Sequence, residues 1–301
     1  MGELRRRHRL EVDDFLREHL QPRVPVVVTG EVERWPAFKS WTWEHLVDQF
    51  GDHEVDLYDD WFLPTGVTTF GEFVASNIGI DAPDPTRSYV RWFARNGPDE
   101  GRWADDVFAA LTDDWSQPPF LPTNGYVVPF VGPHTHTSAV TDPFPYRALF
   151  VSARGARTKL HLDPWGSSAV LCQVTGIKRV RLYPPESQEL MLSIAAHDGE
   201  DLLESTTTGF DDVLNAGEVL FIPAGWWHQV GTLTDSVSVT WNFLHSTVAD
   251  NLRRHIEAHP DDPELAVVAY MLAAARSPGK APARDVAAAV AAAMAAQDSA
   301  G

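Results

Sequence analysis

Residues 158–163 read Thr-Lys-Leu-His-Leu-Asp, and residues 221–228 read Phe-Ile-Pro-Ala-Gly-Trp-Trp-His. In a β-strand, side chains at positions i and i+2 project from the same face, so His161 and Asp163 can direct an imidazole and a carboxylate at one point. A second strand can bring His228 to that point. Two histidines and one carboxylate, with coordination positions left open, are the ligand set of non-haem Fe(II) oxygenases. The pattern therefore predicts a β-fold with an iron site, and it favours an oxygen-activating enzyme.

Other interpretations of these histidines remain open. A His-x-Asp triplet arises by chance in many chains, and a single histidine such as His228 is more often packed or exposed than bound to a metal. A rival pair, His134 and His136, has the same i, i+2 spacing, but it lacks a nearby carboxylate and lies among glycine and prolines. A loop that faces the substrate is the preferred interpretation of that pair.

A lysine on an apolar strand face gives a second indication. Gly176 marks a turn and Pro184-Pro185 ends the strand, so Lys178, Val180 and Leu182 share one face. A cation on such a face is costly unless it is paired. A lysine at a sheet edge can instead extend its ammonium group into water. An anionic cosubstrate that reaches Lys178 at one end and the metal at the other is the natural partner.

Several further motifs occur in order along residues 20–245. They are Pro25–Gly30, Trp35-Pro36-Ala37, Trp41–Leu46, Thr158-x-x-His161-x-Asp163, Gly176-x-Lys178, Pro184-Pro185, Gly217–Pro223 with His228, and Trp241-Asn242-Phe243. Together these motifs resemble the Jumonji-C, or cupin-like, 2-oxoglutarate oxygenases, in particular the branch that contains the asparaginyl hydroxylase inhibiting hypoxia-inducible factor. The resemblance implies a mainly β fold with flanking helices, whose core is a double-stranded β-helix, a jelly-roll or cupin-like barrel.

The resemblance also implies roles for individual residues, with Fe(II) as cofactor, 2-oxoglutarate as cosubstrate and O2 as co-reactant. Some residues would bind the metal, some would bind the two carboxylates of 2-oxoglutarate, and others are expected to contact the substrate. These residues are His161, Asp163 and His228 for the metal; Lys178, Thr158, Tyr89 and Asn242 for 2-oxoglutarate; and Trp165, Trp227 and Arg91 for the substrate.

Strand geometry supports one of these roles and complicates another. Ser238, Thr240 and Asn242 form a polar strand face, which suits a cavity that holds an anion and a metal. Thr158 lies three residues before His161, so an ideal strand would place the two side chains on opposite faces. A bulge or bend must intervene if both line the site. The segment from Asp163 to Gly176 is also two residues longer than the resemblance predicts, which indicates a wider turn.

Composition limits the classes of partner and the compartment. The chain has 301 residues, with 42 acidic and 24 basic side chains and a net charge of −18. This charge disfavours nucleic acid and anionic membranes, and it would attract a basic peptide, although acidic surfaces also serve solubility. The single cysteine, Cys172, cannot form an internal disulfide, which favours the cytoplasm. No apolar run approaches the ~20 residues of a membrane helix, and Met1–Arg7 precedes no signal-peptide core.

The chain is predicted to divide into a catalytic domain and a helical appendage. The catalytic domain covers residues 1–245, with N-terminal helices and strands, a cover segment at about 104–147 over the cavity mouth, and the metal-binding core at 149–245. Residues 246–301 are predicted to be helical. Their apolar stripes, Leu265/Val268/Leu272 and Val286/Val290/Met294, are narrow and need a covering surface. That surface is either the chain's own barrel or the partner in a homodimer.

Three enzymatic functions fit this sequence. We favour hydroxylation of a side chain in a peptide or protein substrate. Hydroxylation of a free amino acid or a small natural product is the alternative, and removal of an N-methyl group from lysine is a third possibility, which only the core motif supports. A non-catalytic cupin binding module belongs to a different class. The complete triad together with Lys178 argues against it, because a decayed site usually loses a ligand.

Overall fold

Two β-sheets form the body of the protein. The computed structural model describes residues 1–61, 63–80, 89–93, 105–123, 125–127, 147–163, 167–196 and 208–248. Within these ranges the strands are β1 Arg6–His8, β2 Val26–Thr29, β3 Glu54–Tyr58, β4 Pro64–Thr69, β5 Tyr89–Phe93, β6 Tyr126–Val127, β7 Arg147–Ser152, β8 Arg157–His161, β9 Ser168–Thr175, β10 Lys178–Tyr183, β11 Phe210–Leu214, β12 Val219–Ile222, β13 Trp227–Thr232 and β14 Ser236–His245.

Short helices lie between the strands in the described ranges. Alpha-helices are α1 Val12–Phe15, α2 Ala37–Ser40, α3 Trp43–Phe50, α4 Phe70–Asn77, α5 Asp105–Ala110 and α6 Gln188–Ala196, and α1 continues as the π-helix Leu16–Leu20. The N-terminal region therefore contains both helices and strands. No helix in the described ranges is long and apolar enough to cross a membrane.

The sheets differ in size. The large sheet has the strand order β1-β2-β12-β9-β14-β7-β5-β3-β4, with β6 also paired to β14, and the small sheet has the order β11-β10-β13-β8. The structure is therefore mainly β, as predicted. A tight turn at Gly176 connects β9 in the large sheet to β10 in the small one. Gly176 has φ +77°, and a Cβ at this position would lie 2.2 Å from the backbone oxygen of Asp235, so the turn requires glycine.

Strand β9 shows how the large sheet forms two cores. All but the last of its eight residues are buried, as expected for an apolar run between two neighbouring strands. Val170, Cys172 and Val174 pack with the N-terminal helices in the larger core. Ala169 and Leu171 point the other way and pack against the small sheet. The alternation of side chains along one strand thus joins a helical layer, the large sheet and the small sheet.

Several predictions concern residues outside the described ranges. These are the C-terminal helices from residue 249 onward, Trp165, His134, His136, and residues 128–146 of the predicted cover segment. The part of that segment at 105–123 is described, and none of its residues lines the cavity; the role of the whole segment as a cover stays a prediction. Its side chains Val107, Phe108, Leu111, Phe120 and Leu121 belong to the larger hydrophobic core, because they are apolar and spaced to face inward.

Candidate metal and anion site

A cavity of about 420 Å³ lies between the two sheets. Its volume falls in the range of small-molecule sites. The large sheet and the small sheet both contribute to its wall, and most of the wall is apolar. The lining residues are Trp61, Tyr89, Ala148, Phe150, Thr158, His161, Leu162, Asp163, Ala169, Leu171, Lys178, Ile222, His228, Val230, Thr240 and Asn242.

Three lining side chains could hold a metal ion. One ligand atom from each of His161, Asp163 and His228 lies within 4.8 Å of the other two. His161 and His228 are direct partners in the pairing of β8 with β13, and their ring centroids are 4.2 Å apart. Asp163 follows the end of β8, and its Oδ2 lies 3.8 Å from Nε2 of His228. The sequence-predicted triad is therefore assembled from two neighbouring strands.

Hydrogen bonds fix the ring orientation of both histidines. Nδ1 of His161 lies 2.8 Å from the backbone oxygen of Lys159, and Nδ1 of His228 lies 3.1 Å from that of Trp226. A carbonyl only accepts, so each Nδ1 carries the hydrogen and each Nε2 offers its lone pair. Burial, reinforced by the neighbouring His228, lowers the pKa of His161 well below its usual value. His161 is therefore neutral, as a metal ligand must be.

The carboxylate of Asp163 supports the same conclusion. Its Oδ2 is buried, and it has no hydrogen-bond partner among the described residues. An unpaired carboxylate oxygen in a buried site is strongly unfavourable unless a cation compensates it. One carboxylate oxygen and two imidazole nitrogens converging on one point fit a divalent first-row metal such as Fe(II).

Lys178 forms the opposite, closed end of the cavity. Its side chain is fully buried although it lines the cavity, and no carboxylate in the described part of the chain pairs with it. Its Nζ lies 5.7 Å from the ring centroid of Tyr89 and 5.9 Å from that of Phe150. Burial, with a smaller contribution from the positive charge of Arg91, lowers the pKa of Lys178 to about 7. An anion in the cavity would stabilise its charged form.

Thr158 faces the cavity because β8 contains the expected irregularity. His161 pairs with His228, whereas Thr158 pairs with Val230, so three steps on β8 match two on β13. The extra residue returns Thr158 to the cavity face. Nη2 of Arg91 lies 3.5 Å from Oγ1 of Thr158. An arginine only donates, so the hydroxyl hydrogen of Thr158 remains available to a ligand.

Two further predicted residues line the cavity. The hydroxyl of Tyr89 lies 3.1 Å from Oγ1 of Thr232. Nδ2 of Asn242 donates to Oγ of Ser167 at 3.2 Å, and this bond holds the amide at the cavity wall. The polar face predicted for β14 is thus present. Thr240 and Asn242 line the cavity, while Val237, Val239, Trp241 and Phe243 on the opposite face lie in the larger core.

The three expected substrate contacts have different outcomes. Trp227 does not line the cavity. It is adjacent to His228 on β13, and because side chains alternate along a strand, it points away from the face that carries His228. It packs with Leu160, Tyr183, Met191 and Ile194, and its role as a substrate contact stays a prediction. Arg91 lies behind the cavity wall, with its guanidinium 4.7 Å from the centroid of Tyr89. Trp165 lies outside the described residues.

Sequence reasoning missed the cavity mouth. Trp61 lines the cavity and is 40% exposed, so the cavity runs from buried Lys178 to this tryptophan at the surface. The neighbouring residue Asp60 contacts β8 in two ways. Its backbone oxygen accepts from the backbone N–H of Lys159 at 2.9 Å, and its carboxylate pairs with Arg157. Residues 59–61 carry no distinctive motif, and their position depends on contacts almost a hundred residues away in the chain.

The sequence comparisons agree with this fold and site. Residues 80–251 match the cupin-like domain family, and the chain belongs to that family. It is 25% identical over 265 residues to the lysine-specific demethylase JMJ21 of Arabidopsis thaliana, covering 81% of this chain and 26% of that protein. It is 24% identical over 260 residues to the bifunctional arginine demethylase and lysyl-hydroxylase psr-1 of Caenorhabditis elegans, covering 78% and 59%.

The name of a third relative states the cofactor and the cosubstrate on which that protein depends. The 2-oxoglutarate and iron-dependent oxygenase JMJD4 of Gallus gallus is 25% identical over 268 residues, covering 77% of this chain and 57% of that protein. The chain therefore spans less than two thirds of the length of each of these relatives. The predicted resemblance to Jumonji-C oxygenases is confirmed, whereas the asparaginyl-hydroxylase branch is not specifically indicated.

Proposed function

We propose that this protein is an Fe(II)- and 2-oxoglutarate-dependent dioxygenase that hydroxylates a side chain of a peptide or protein substrate. One observation carries the proposal. A candidate metal-ligand triad and a fully buried lysine without an anionic partner among the described residues line the same cavity. A ligand with a carboxylate at one end and metal-binding oxygens at the other would satisfy both, and 2-oxoglutarate has that form.

His161, Asp163 and His228 would hold the iron. Bound iron would supply the oxidation: O2 converts 2-oxoglutarate to succinate and CO2, and the second oxygen atom is inserted into a substrate C–H bond. The protein's contribution is to position and isolate the reactants. The two histidines hold their Nε2 lone pairs toward the metal, and the apolar wall formed by Leu171, Ile222 and neighbouring side chains limits access of water.

The closed end would hold the distal carboxylate. Lys178 would donate a charge-assisted hydrogen bond, and such bonds contribute roughly 1.5–3 kcal/mol. The hydroxyls of Thr158 and Tyr89 would donate the remaining bonds. Asn242, near the metal end, would contact the proximal carboxylate. The lining of one cavity by all four side chains supports these assignments.

The substrate would enter at the open end beside Trp61. This end is exposed and aromatic, and an extended side chain of a peptide or protein could reach the metal through it. The name of psr-1 includes both demethylation and hydroxylation, and the same site could perform either reaction. Oxidation of an N-methyl group yields an unstable hydroxymethyl product that releases formaldehyde. A free amino acid or small natural product is the alternative substrate for hydroxylation.

The finer architecture belongs to the same proposal. The paired large and small sheets support a double-stranded β-helix within a catalytic domain at residues 1–245. A cytoplasmic location and a homodimer formed through residues 246–301 stay predictions. Light scattering on the full chain tests the dimer: a dimer mass at micromolar concentration supports it, and a monomer mass contradicts it.

Turnover with substrate pools tests the activity. The full chain is incubated with Fe(II), 2-oxoglutarate and O2, with peptide or metabolite pools, and products are read by mass spectrometry. We expect succinate together with a product that gains one oxygen atom. Loss of a methyl group with release of formaldehyde would indicate demethylation instead. A non-catalytic cupin module would form no succinate under any of these conditions.

A further inference from the structure

We propose that a buried chain of hydroxyl groups, Thr232–Ser152–Ser236, positions the hydroxyl of Tyr89 for binding the distal carboxylate of 2-oxoglutarate. This hydroxyl chain lies behind the cavity wall, and its residues are positioning residues that act through Tyr89. The inference rests on the proposed function and adds to it a second layer of residues that would set the affinity for the cosubstrate.

The hydroxyl chain is continuous. The Tyr89 hydroxyl lies 3.1 Å from Oγ1 of Thr232, Thr232 donates to Oγ of Ser152 at 3.1 Å, and Ser152 Oγ lies 3.1 Å from that of Ser236. All four residues are buried, with exposures from 0% to 4%. Of the four, Tyr89 alone lines the cavity. The hydroxyl chain therefore leads from the cavity into the buried interior between the sheets.

Strand pairing holds the members of the chain in place. Ser152 on β7 pairs directly with Ser236 on β14 and with Tyr89 on β5. Thr232 belongs to β13 in the small sheet, and its hydroxyl bridges the two sheets. Backbone bonds on both sides of Thr232, to Gly155 and Ala156, fix its position. The oxygen atoms are thus held close together, while each hydroxyl hydrogen can rotate.

The direction of the bonds determines what Tyr89 can do. Each hydroxyl has one hydrogen to donate and can also accept. In the observed direction Thr232 donates to Ser152, so Thr232 can accept the hydrogen of Tyr89, which then points away from the cavity. A carboxylate in the cavity requires the opposite direction. Ser236 would donate to Ser152, Ser152 to Thr232, Thr232 to Tyr89, and Tyr89 to the carboxylate.

Reversal of the hydroxyl chain would strengthen anion binding. It needs rotation about C–O bonds and a small shift of Ser152 Oγ, which accepts from Thr232 in the structure, and no proton leaves its oxygen. After reversal the positive end of every hydroxyl dipole points toward the carboxylate, and linked hydrogen bonds polarise one another in a buried site. Thr158 differs, because Arg91 only donates to it and leaves its hydrogen directed to the ligand. Arg91 thus fixes the direction of the Thr158 hydroxyl in advance, whereas the direction of the Tyr89 hydroxyl depends on Thr232.

Substitution of Thr232 tests this inference. Thr232→Val keeps the side-chain shape and removes the bridging hydroxyl, and Thr232→Ser restores it. The matched control is Ser238→Ala, which removes a buried hydroxyl of β14 that bonds to Gln173 outside the chain. The dissociation constant of 2-oxoglutarate is measured by calorimetry on the full-length protein loaded with Mn(II), which avoids turnover. Circular dichroism verifies folding, and thermal unfolding gives the midpoint of each variant.

The expected result is a selective loss of affinity. Thr232→Val should weaken 2-oxoglutarate binding by roughly three- to tenfold, the usual contribution of one hydrogen bond. Thr232→Ser and Ser238→Ala should stay within about twofold of wild type, even though Ser238→Ala lowers the unfolding midpoint. If Thr232→Val does not fold, Ser152→Ala breaks the next link, and it should weaken binding in the same direction by a smaller factor.

Three outcomes would overturn the inference. Wild-type affinity in Thr232→Val, or in Ser152→Ala where that variant replaces it, would show that Tyr89 does not depend on the hydroxyl chain. An equal loss in Ser238→Ala would indicate a general effect of packing. If wild type itself fails to bind 2-oxoglutarate, the proposed function fails, and this inference fails with it. The first two outcomes leave the proposed function intact.

Discussion

Thr158 and His161 both face the cavity although three positions separate them on β8. Their partners on β13, Val230 and His228, are only two positions apart, so the strand accommodates one extra residue between them. A regular strand would bury one of the two side chains on the opposite face. The bulge allows β8 to present both the candidate metal ligand His161 and the hydroxyl of Thr158 to the cavity.

Removal of the carboxylate should abolish metal binding without unfolding the protein. In Asp163→Ala we expect Fe(II) affinity to fall by at least about 100-fold, and turnover to fall with it, because one of three ligands is lost. The metal-free variant should unfold at an equal or higher temperature, since Oδ2 of Asp163 is buried without a partner among the described residues. Equilibrium dialysis and calorimetry provide the measurements.

The control for this variant is Asp48→Ala, at an exposed position of α3. It should bind Fe(II) like wild type. Full activity in Asp163→Ala would contradict the assignment of His161, Asp163 and His228 as the metal ligands. Asp163→Gly is less informative, because a halide ion can enter the vacated position in some enzymes of this kind.

Removal of the buried cation should weaken cosubstrate binding. Lys178→Met is expected to raise the dissociation constant of 2-oxoglutarate by roughly 10- to 100-fold, the effect of losing a charge-assisted bond. Fe(II) binding should survive. Arg179→Met is a matched control, because Arg179 is the next residue on β10, points outward and pairs with Asp211. Unchanged affinity in Lys178→Met would mean that another group binds the distal carboxylate.

Affinity for 2-oxoglutarate should depend on pH through Lys178. Burial, and secondarily the charge of Arg91, lowers the pKa of this lysine to about 7 in the empty cavity. Below that pH the ammonium form is ready to bind an anion. Above it most molecules are neutral, and binding must take up a proton. The dissociation constant should therefore rise with pH above about 7, by up to tenfold per unit.

Calorimetry in buffers of different ionisation enthalpy measures that proton uptake directly. Wild type should take up close to one proton per ligand at about pH 8, and Lys178→Met should take up none through this group. Equal uptake in the two proteins would assign the pH dependence to a different residue.

The turn between the sheets should tolerate no side chain. Gly176→Ala places a Cβ against the oxygen of Asp235 at a positive φ, and we expect the free energy of unfolding to fall by about 2–4 kcal/mol. Gly66→Ala is the control, because nothing lies within 4 Å of its added Cβ, and it should change stability by less than about 0.5 kcal/mol. Urea denaturation of both variants measures the difference. Similar stabilities would show that the turn readily rearranges.

Local periodicity explains which parts of the site could be predicted. His161 and Asp163, and Thr240 and Asn242 on the polar face of β14, follow the two-residue repeat of strands, and all four line the cavity. Trp227 follows the same repeat: it is adjacent to His228 in sequence but packs on the opposite side of the strand, away from the cavity-lining residues.

Long-range contacts explain what could not be predicted. Trp61 reaches the cavity through contacts of Asp60 with β8, across 97 positions of the chain. The hydroxyl chain joins Tyr89 to Thr232 across 143 positions and Thr232 to Ser152 across 80. No local pattern encodes these distances, because serine and threonine at buried strand positions have no single role. Such contacts become visible only when the sheets are paired.

The central claim is that one cavity holds the metal and 2-oxoglutarate together. The most direct measurement is anaerobic calorimetric titration of 2-oxoglutarate into the full-length protein, with and without one equivalent of Fe(II). We predict one binding site whose affinity rises markedly when Fe(II) is present and loses that increase in Asp163→Ala, because ligands that contact each other are thermodynamically coupled. Equal affinity with and without Fe(II), or no binding in either case, would contradict the account.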